Sequence, residues 1–216
     1  MRVPLLITIC LLCFTFAPLS LRGASENPAE CTYSTYRWNV ASRQAVNFER
    51  INHPYAELSE EEVDSATGCT LCEEDQELIR IAGVNPFRVC KKLASRLRDV
   101  MDRVVSEGEP IYEVTGYRVG RTKGEPDENG NRRDFSNHSY GTAIDINQGL
   151  NGLYDRCIDF GPGCRLIRGG EWSPGRPGSL TADSVTVRAM KEAGFKWGGE
   201  IAGKQKDFMH FSISGY

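Results

Sequence analysis

SNHSYGTAIDIN, residues 136–147, changes character at Gly141. Before the glycine it is polar and irregular. After it, Ala143 and Asp145 alternate with Ile144 and Ile146, the period of a strand with one apolar face. Gly141 permits the turn between loop and strand. The C-terminal FMHFSIS (208–214) alternates in the same way and reads as a second strand. Upstream, IYEVTGYRV (111–119) reads as a third, and residues 120–137 as a polar loop. Asn85-Pro86 offers an N-cap and a first-turn proline. From there Phe87, Cys90, Leu93, Leu97, Val100, Met101 and Val104 recur at helical spacing, up to Glu107-Gly108. A second helix is expected from Thr181 to Ala193, closed by Gly194. These elements sum to an α+β fold, a small and mostly antiparallel sheet flanked by helices.

The periphery reads differently. Residues 148–180 are rich in glycine and read as an irregular insertion. Residues 26–84 read as an N-terminal extension of short helices held by disulfides, with Glu60, Glu61, Glu62 and Asp64 on a solvated helix face. The remaining residues, 85–216, form the main domain. Of the 216 residues, 40% are hydrophobic and 25% charged, a globular composition that excludes disorder and a fibre. The net charge is −3 and no long basic block occurs, which argues against nucleic acid as a partner.

The N-terminus carries one charge, Arg2, and then the apolar run VPLLITICLLCFTFAPL (3–19). This is the layout of a secretory signal peptide over residues 1–25, cut after Ala24 or Ser25, rather than of a membrane anchor. Cleavage would remove Arg2 and Arg22 and no acid, leaving a mature charge of −5. The product is expected outside the membrane, periplasmic or secreted, without a stable membrane span and as a monomer. Six cysteines then remain, an even number that suits disulfides in an exported chain. Cys157 and Cys164 flank Gly-Pro-Gly and should pair; Cys31, Cys69, Cys72 and Cys90 would pair among themselves. A redox role for the Cys69-Thr-Leu-Cys72 motif is the minor alternative.

Only three histidines occur: His53, His138 and His210. His138 precedes Asp145 by seven residues, and His210 follows Asp207 by three. Two imidazoles and a carboxylate are a common catalytic zinc set, and a second carboxylate can act as base on the water. Residues 207 and 210 fall on opposite faces of a regular strand, so a bend must precede His210 if both serve one site.

The pattern Ser136-x-His138-x-x-Gly141-x-Ala143-x-Asp145 resembles the SxHxxGxAxD signature of the zinc D-alanyl-D-alanine carboxypeptidase family, which includes L-alanyl-D-glutamate endopeptidases. Trp197-Gly198-Gly199 followed by Asp207-x-Met209-His210-Phe211 is similar to its second signature. The resemblance spans roughly residues 85–216. It implies that His138, Asp145 and His210 bind Zn2+, that Asp207 is the general base, and that Arg118 polarises the scissile carbonyl. It implies a substrate contact for Ser136, with a turn-capping serine as the alternative reading. Arg118 also reads as a surface ion pair, and Trp197 as either cleft lining or core. His53 matches nothing and reads as structural. The family's frequent second tryptophan after Trp-Gly-Gly is replaced by Ile201, preceded by Glu200. The expected activity is therefore hydrolysis of a peptide bond in peptidoglycan stem peptides, by either a carboxypeptidase or an endopeptidase. The rival is a secreted wall- or protein-binding module that keeps zinc for structure.

Overall fold

Cys31 and Tyr33, alternating with exposed neighbours, begin a long antiparallel hairpin: β1 (Glu30–Asn39) and β2 (Gln44–Pro54). The protein is described over residues 27–215 by a computed structural model. The signal peptide expected over residues 1–25 lies outside the described residues. Among the described residues, no helix is long and apolar enough to cross a membrane.

The hairpin corrects the expectation of short helices in residues 26–84. Only single 3-10 turns occur there, at Tyr55–Glu57, Glu60–Glu62 and Glu73–Asp75. The acidic run is a solvated face only in part: Glu60 and Glu61 are exposed on their 3-10 turn, and Glu62 is not. Glu62 is 7% exposed, and its carboxylate accepts from Tyr33 Oη, His53 Nε2 and the backbone and hydroxyl of Ser59. Disulfides Cys31–Cys72 and Cys69–Cys90 anchor this region, each worth about 2–4 kcal/mol. Cys69 and Cys72 thus bond to different partners, which removes the redox reading of the pair.

Strand β3 (Gln76–Ile79) pairs with β4 (Phe87–Cys90), so the apolar residues at 87 and 90 belong to a strand and not to a helical first turn. Asn85 is no N-cap: its side-chain amide exchanges two 2.8 Å hydrogen bonds with the backbone of Val114. Helix α1 starts after β4 and runs Lys91–Ser106, burying Leu93, Ala94, Leu97, Val100, Met101 and Val104. Each large side chain among these contributes roughly 1.5–3 kcal/mol on burial.

The expected strand over 111–119 shrinks to β5 (Val114–Thr115). The expected loop over 120–137 holds a hairpin, β6 (Arg121–Pro126) and β7 (Arg132–Phe135), whose β6 also meets β1. Strand β8 (Ala143–Ile146) forms as expected, with Ile144 and Ile146 in the main core. The insertion is less irregular than expected: β9 (Leu153–Asp155) pairs with β10 (Arg165–Arg168), and Cys157 bonds Cys164 at its tip. Helix α2 (Val185–Glu192) begins four residues later than expected, because Ser184, not an earlier residue, caps it through its hydroxyl. Strands β11 (Lys196–Trp197), β12 (Gln205–Asp207) and β13 (His210–Ser212) complete the chain.

The central sheet has the order β11-β13-β8-β5 and packs its apolar face on the two helices. A second sheet, β10-β9-β12, abuts it. The fold is α+β with mostly antiparallel sheets, as the patterning implied.

Candidate functional site

Asp145 occupies the middle of β8, a strand paired on both sides. In β13 its direct partner is His210; in β5 it is Thr115. Directly paired residues share a face, so register alone sets an imidazole beside a carboxylate 65 positions away. The chain reaches His210 through a bend at Phe208-Met209 between β12 and β13. That bend is pinned by Ile146 N–H on Met209 O, Phe208 N–H on Gly152 O and the Trp197 indole on Phe208 O.

His138 comes from a 3-10 turn, Asn137–Tyr140, ended by Gly141 at φ +66. A Cβ at Gly141 would strike Gln76 Oε1 and the backbone nitrogen of Cys90. Glycine is therefore required both by the left-handed backbone and by the close approach of β4, whose Cys90 N–H bonds Gly141 O. The turn is laced to residues 116–120. Arg118 N–H donates to His138 O, Ser136 N–H to Gly120 O, and the Ser139 hydroxyl bridges Gly120 N and O.

Three atoms converge at the centre. His138 Nε2 lies 3.0 Å from Asp145 Oδ1 and 3.2 Å from His210 Nδ1, and the last two are 3.0 Å apart. A tetrahedral shell with ligands at 2.0–2.1 Å has edges of about 3.3 Å, close to this triangle. His138 Nδ1 faces Gly116 O at 2.9 Å. A carbonyl only accepts, so Nδ1 carries the proton and Nε2 turns a lone pair inward. Burial depresses the His138 pKa to about 4, against the pull of Asp145, so the ring is neutral at pH 7. Burial alone would raise the Asp145 carboxyl, but the two imidazoles outweigh it and hold it well below the ordinary range. Asp145 is 3% exposed and its second oxygen accepts from Arg118 Nη2 at 3.0 Å. The inward lone pair of His138, the ionised Asp145 oxygen and a ring nitrogen of His210 are a donor set that could hold a metal ion.

Asp207 ends β12, close enough to feel both His210 and Asp145. Burial pushes its carboxyl up to about 7, with Asp145 adding and His210, Arg168 and Arg118 opposing. Its Oδ1 is buried without a hydrogen-bond partner, and so is Arg118 Nε. A buried orphan acceptor and a buried orphan donor each cost about 1–3 kcal/mol unless something fills them.

The structure thus brings together His138, Asp145, His210, Asp207 and Arg118. Ser136 is buried at the head of the 3-10 turn; its hydroxyl lies 3.3 Å from that of Ser139 and makes no cap bond. Trp197 is 5% exposed within the main core, under Gly199, and holds the Phe208 bend. His53 stands apart, in the Glu62 cluster. A shallow cleft of about 550 Å3 beside Asn147, lined by Tyr112, Glu113 and Arg176, holds none of the converging residues. Sequence reasoning missed Gly116 as the partner of His138. It also missed Arg168 as a charge acting on Asp207, because both depend on contacts between distant segments.

Comparison with known proteins bears on the same residues. Residues 129–213 fit the family model described as D-alanyl-D-alanine carboxypeptidase, which covers both histidine motifs. No solved structure matches the chain.

Proposed function

We propose that this D-alanyl-D-alanine carboxypeptidase-like chain is an exported, zinc-dependent peptidase that hydrolyses a peptide bond in peptidoglycan stem peptides. The observation that carries the reading is the triangle of His138 Nε2, Asp145 Oδ1 and His210 Nδ1, with edges of 3.0–3.2 Å. In this reading those three residues would hold Zn2+, a three-ligand set of the kind that keeps a fourth position for water. Zinc bound there would polarise the scissile carbonyl and lower the pKa of a coordinated water to about 7.

The remaining work falls to the chain. Asp207 takes the proton of the attacking water and returns it to the leaving amine. Its buried Oδ1 has no protein hydrogen-bond partner, which leaves it available to that proton. Arg118 stands where negative charge develops on the carbonyl oxygen, with Nη2 braced on Asp145 and Nε still free to donate. Ser136 and Trp197 act by shaping the site: one heads the turn that carries His138, the other fixes the bend that carries Asp207 and His210. A module that kept zinc for structure alone would have no use for a neighbouring carboxylate whose buried Oδ1 has no partner. Three disulfides and the leader-like residues 1–25 support export.

Mass spectrometry of stem-peptide fragments incubated with zinc-loaded protein tests the reading. A shortened peptide that is absent with chelator is the expected result. Intact fragments from folded, zinc-loaded protein would refute it.

A further inference from the structure

The insertion, residues 148–180, carries a cation that the proposed reaction has not used. Strand β9 lies between β12 and β10, and one row crosses all three: Asp207 pairs with Leu153, and Leu153 pairs with Arg168. Direct partners share a face. Arg168, Leu153 and Asp207 therefore stand on the same side of this sheet, the ends of the row about 10 Å apart at Cα.

A bulge produces that placement. Arg165 pairs with Asp155 and Leu166 with Tyr154, so an unbroken register would set Ile167 opposite Leu153. The register shifts after Leu166, and Arg168 takes that place. Bulges re-aim side chains and recur beside active sites. The platform is braced from several directions. Trp172 stacks on Phe208 with ring centroids 3.8 Å apart, and its backbone N–H bonds the Tyr154 hydroxyl. Gly170 N–H bonds Gln148 O, and Cys157–Cys164 closes the tip.

Three cations close to this row are committed. Arg118 is paired with Asp145, Arg165 with Asp155, and Lys206 with the Ile201 carbonyl. Arg168 is exposed and makes no side-chain hydrogen bond or ion pair among the described residues, yet its charge reaches Asp207. A guanidinium with no protein partner on the row of the proposed base is available to an anion that enters there.

We infer that Arg168 receives the terminal carboxylate of the substrate, and that the chain acts as a carboxypeptidase rather than cutting inside a stem. The inference rests on the peptidase reading above. In a C-terminal residue the carboxylate carbon is two bonds, about 2.5 Å, from the scissile nitrogen. Asp207 must reach that nitrogen to protonate it, so the carboxylate lies within a few Å of Asp207, on the sheet face that Arg168 shares. Half-buried Leu153 lies between them and offers an apolar floor for a side chain as small as a methyl group. A guanidinium meets a carboxylate through two parallel hydrogen bonds, which a neutral amide cannot reproduce. A cut inside the stem presents no carboxylate at this point.

The test compares two stem pentapeptides, one ending in a free carboxylate and one in a carboxamide, on zinc-loaded wild type, Arg168→Ala and Arg168→Lys. Wild type is expected to favour the acid by at least tenfold in kcat/KM. Arg168→Ala should lower kcat/KM on the acid by about 10–100-fold and bring the two peptides together, with Arg168→Lys between. Equal cleavage of acid and amide by wild type overturns both the carboxypeptidase assignment and the part given to Arg168, and an acid preference that survives in Arg168→Ala overturns the Arg168 assignment alone. A wild type that cleaves neither peptide fails at the peptidase reading and takes the assignment with it.

Discussion

His210 lies directly opposite Asp145 in the β13–β8 pair, and the two side chains meet at 3.0 Å with His138 as the third member. Three atoms rich in lone pairs within 3.2 Å of one another are poorly satisfied by protons alone. Zinc should therefore stabilise the fold as well as activate it. At a free concentration 100 times Kd the gain is about 2.7 kcal/mol, roughly 5–10 °C in Tm for a chain of this size. Calorimetry of metal-stripped protein with and without added zinc checks this. The shift should vanish in His210→Ala, and a Tm indifferent to zinc in the wild type would count against the metal site.

Asp207 gives two linked expectations. Asp207→Asn should cut kcat by roughly 10²–10⁴ while zinc content stays at the wild-type level. The same variant should respond oppositely in stability. The carboxyl pKa is raised in the metal-free fold to about 7, so its contribution is full below the unfolded value near 3.8 and is lost as pH rises through 7. An amide carries no such penalty. Metal-free Asp207→Asn should therefore melt higher than metal-free wild type at pH 8, and the difference should close at pH 4.

The elements that place the site were legible where local pattern and final structure agree. β8 and the C-terminal strand show clean alternation, and both carry a ligand candidate. The failures share a cause. Phe87, Val89 and Cys90 are apolar at positions that suit either a strand or the start of a helix, and the deciding partner, β3, lies some ten residues upstream. Asn85 has the chemistry of a cap, but Val114 claims its amide. The β6–β7 hairpin is polar on both faces, so hydrophobic period could not reveal it; Asn129-Gly130 at its turn was the available signal. The row Asp207–Leu153–Arg168 depends on a one-residue bulge, which no periodicity announces.

Gly141 tests whether the His138 turn is held as tightly as its contacts imply. Alanine there meets a left-handed φ of +66 and a collision with the Cys90 backbone nitrogen, which is no flexible side-chain end and cannot swing aside. Backbone strain of about 1–2 kcal/mol and overpacking of about 1–3 kcal/mol add to a loss on the order of 3 kcal/mol. Denaturant titration of Gly141→Ala reads that number. Zinc affinity should fall with it, because any relief moves the turn that carries His138. A variant with wild-type stability and zinc affinity would show that β4 yields easily.

The Glu62 cluster sets the pH range over which the N-terminal hairpin is braced. His53 Nδ1 faces Pro54 O at 2.9 Å and Nε2 faces Glu62 at 2.7 Å. Both partners accept, so the ring is fully paired only as imidazolium. These two bonds raise the His53 pKa, the Pro54 carbonyl most. Burial pushes Glu62 up, but hydrogen bonds from Ser59, His53 and Tyr33 outweigh it and bring it to about 2. The two signs oppose. The Glu62 contribution is complete above about pH 4.5 and is lost as pH falls through about 2. The His53 contribution is complete below pH 6.5 and is lost as pH rises through its raised folded value. Stability from this cluster should therefore peak between about pH 4.5 and 6.5 and decline on both sides. Glu62→Gln should flatten both limbs, because it removes one titrating group and the charge that holds the other. Chemical denaturation of wild type and Glu62→Gln from pH 3 to 9 makes the comparison, and parallel curves across that range would remove the cluster as the cause.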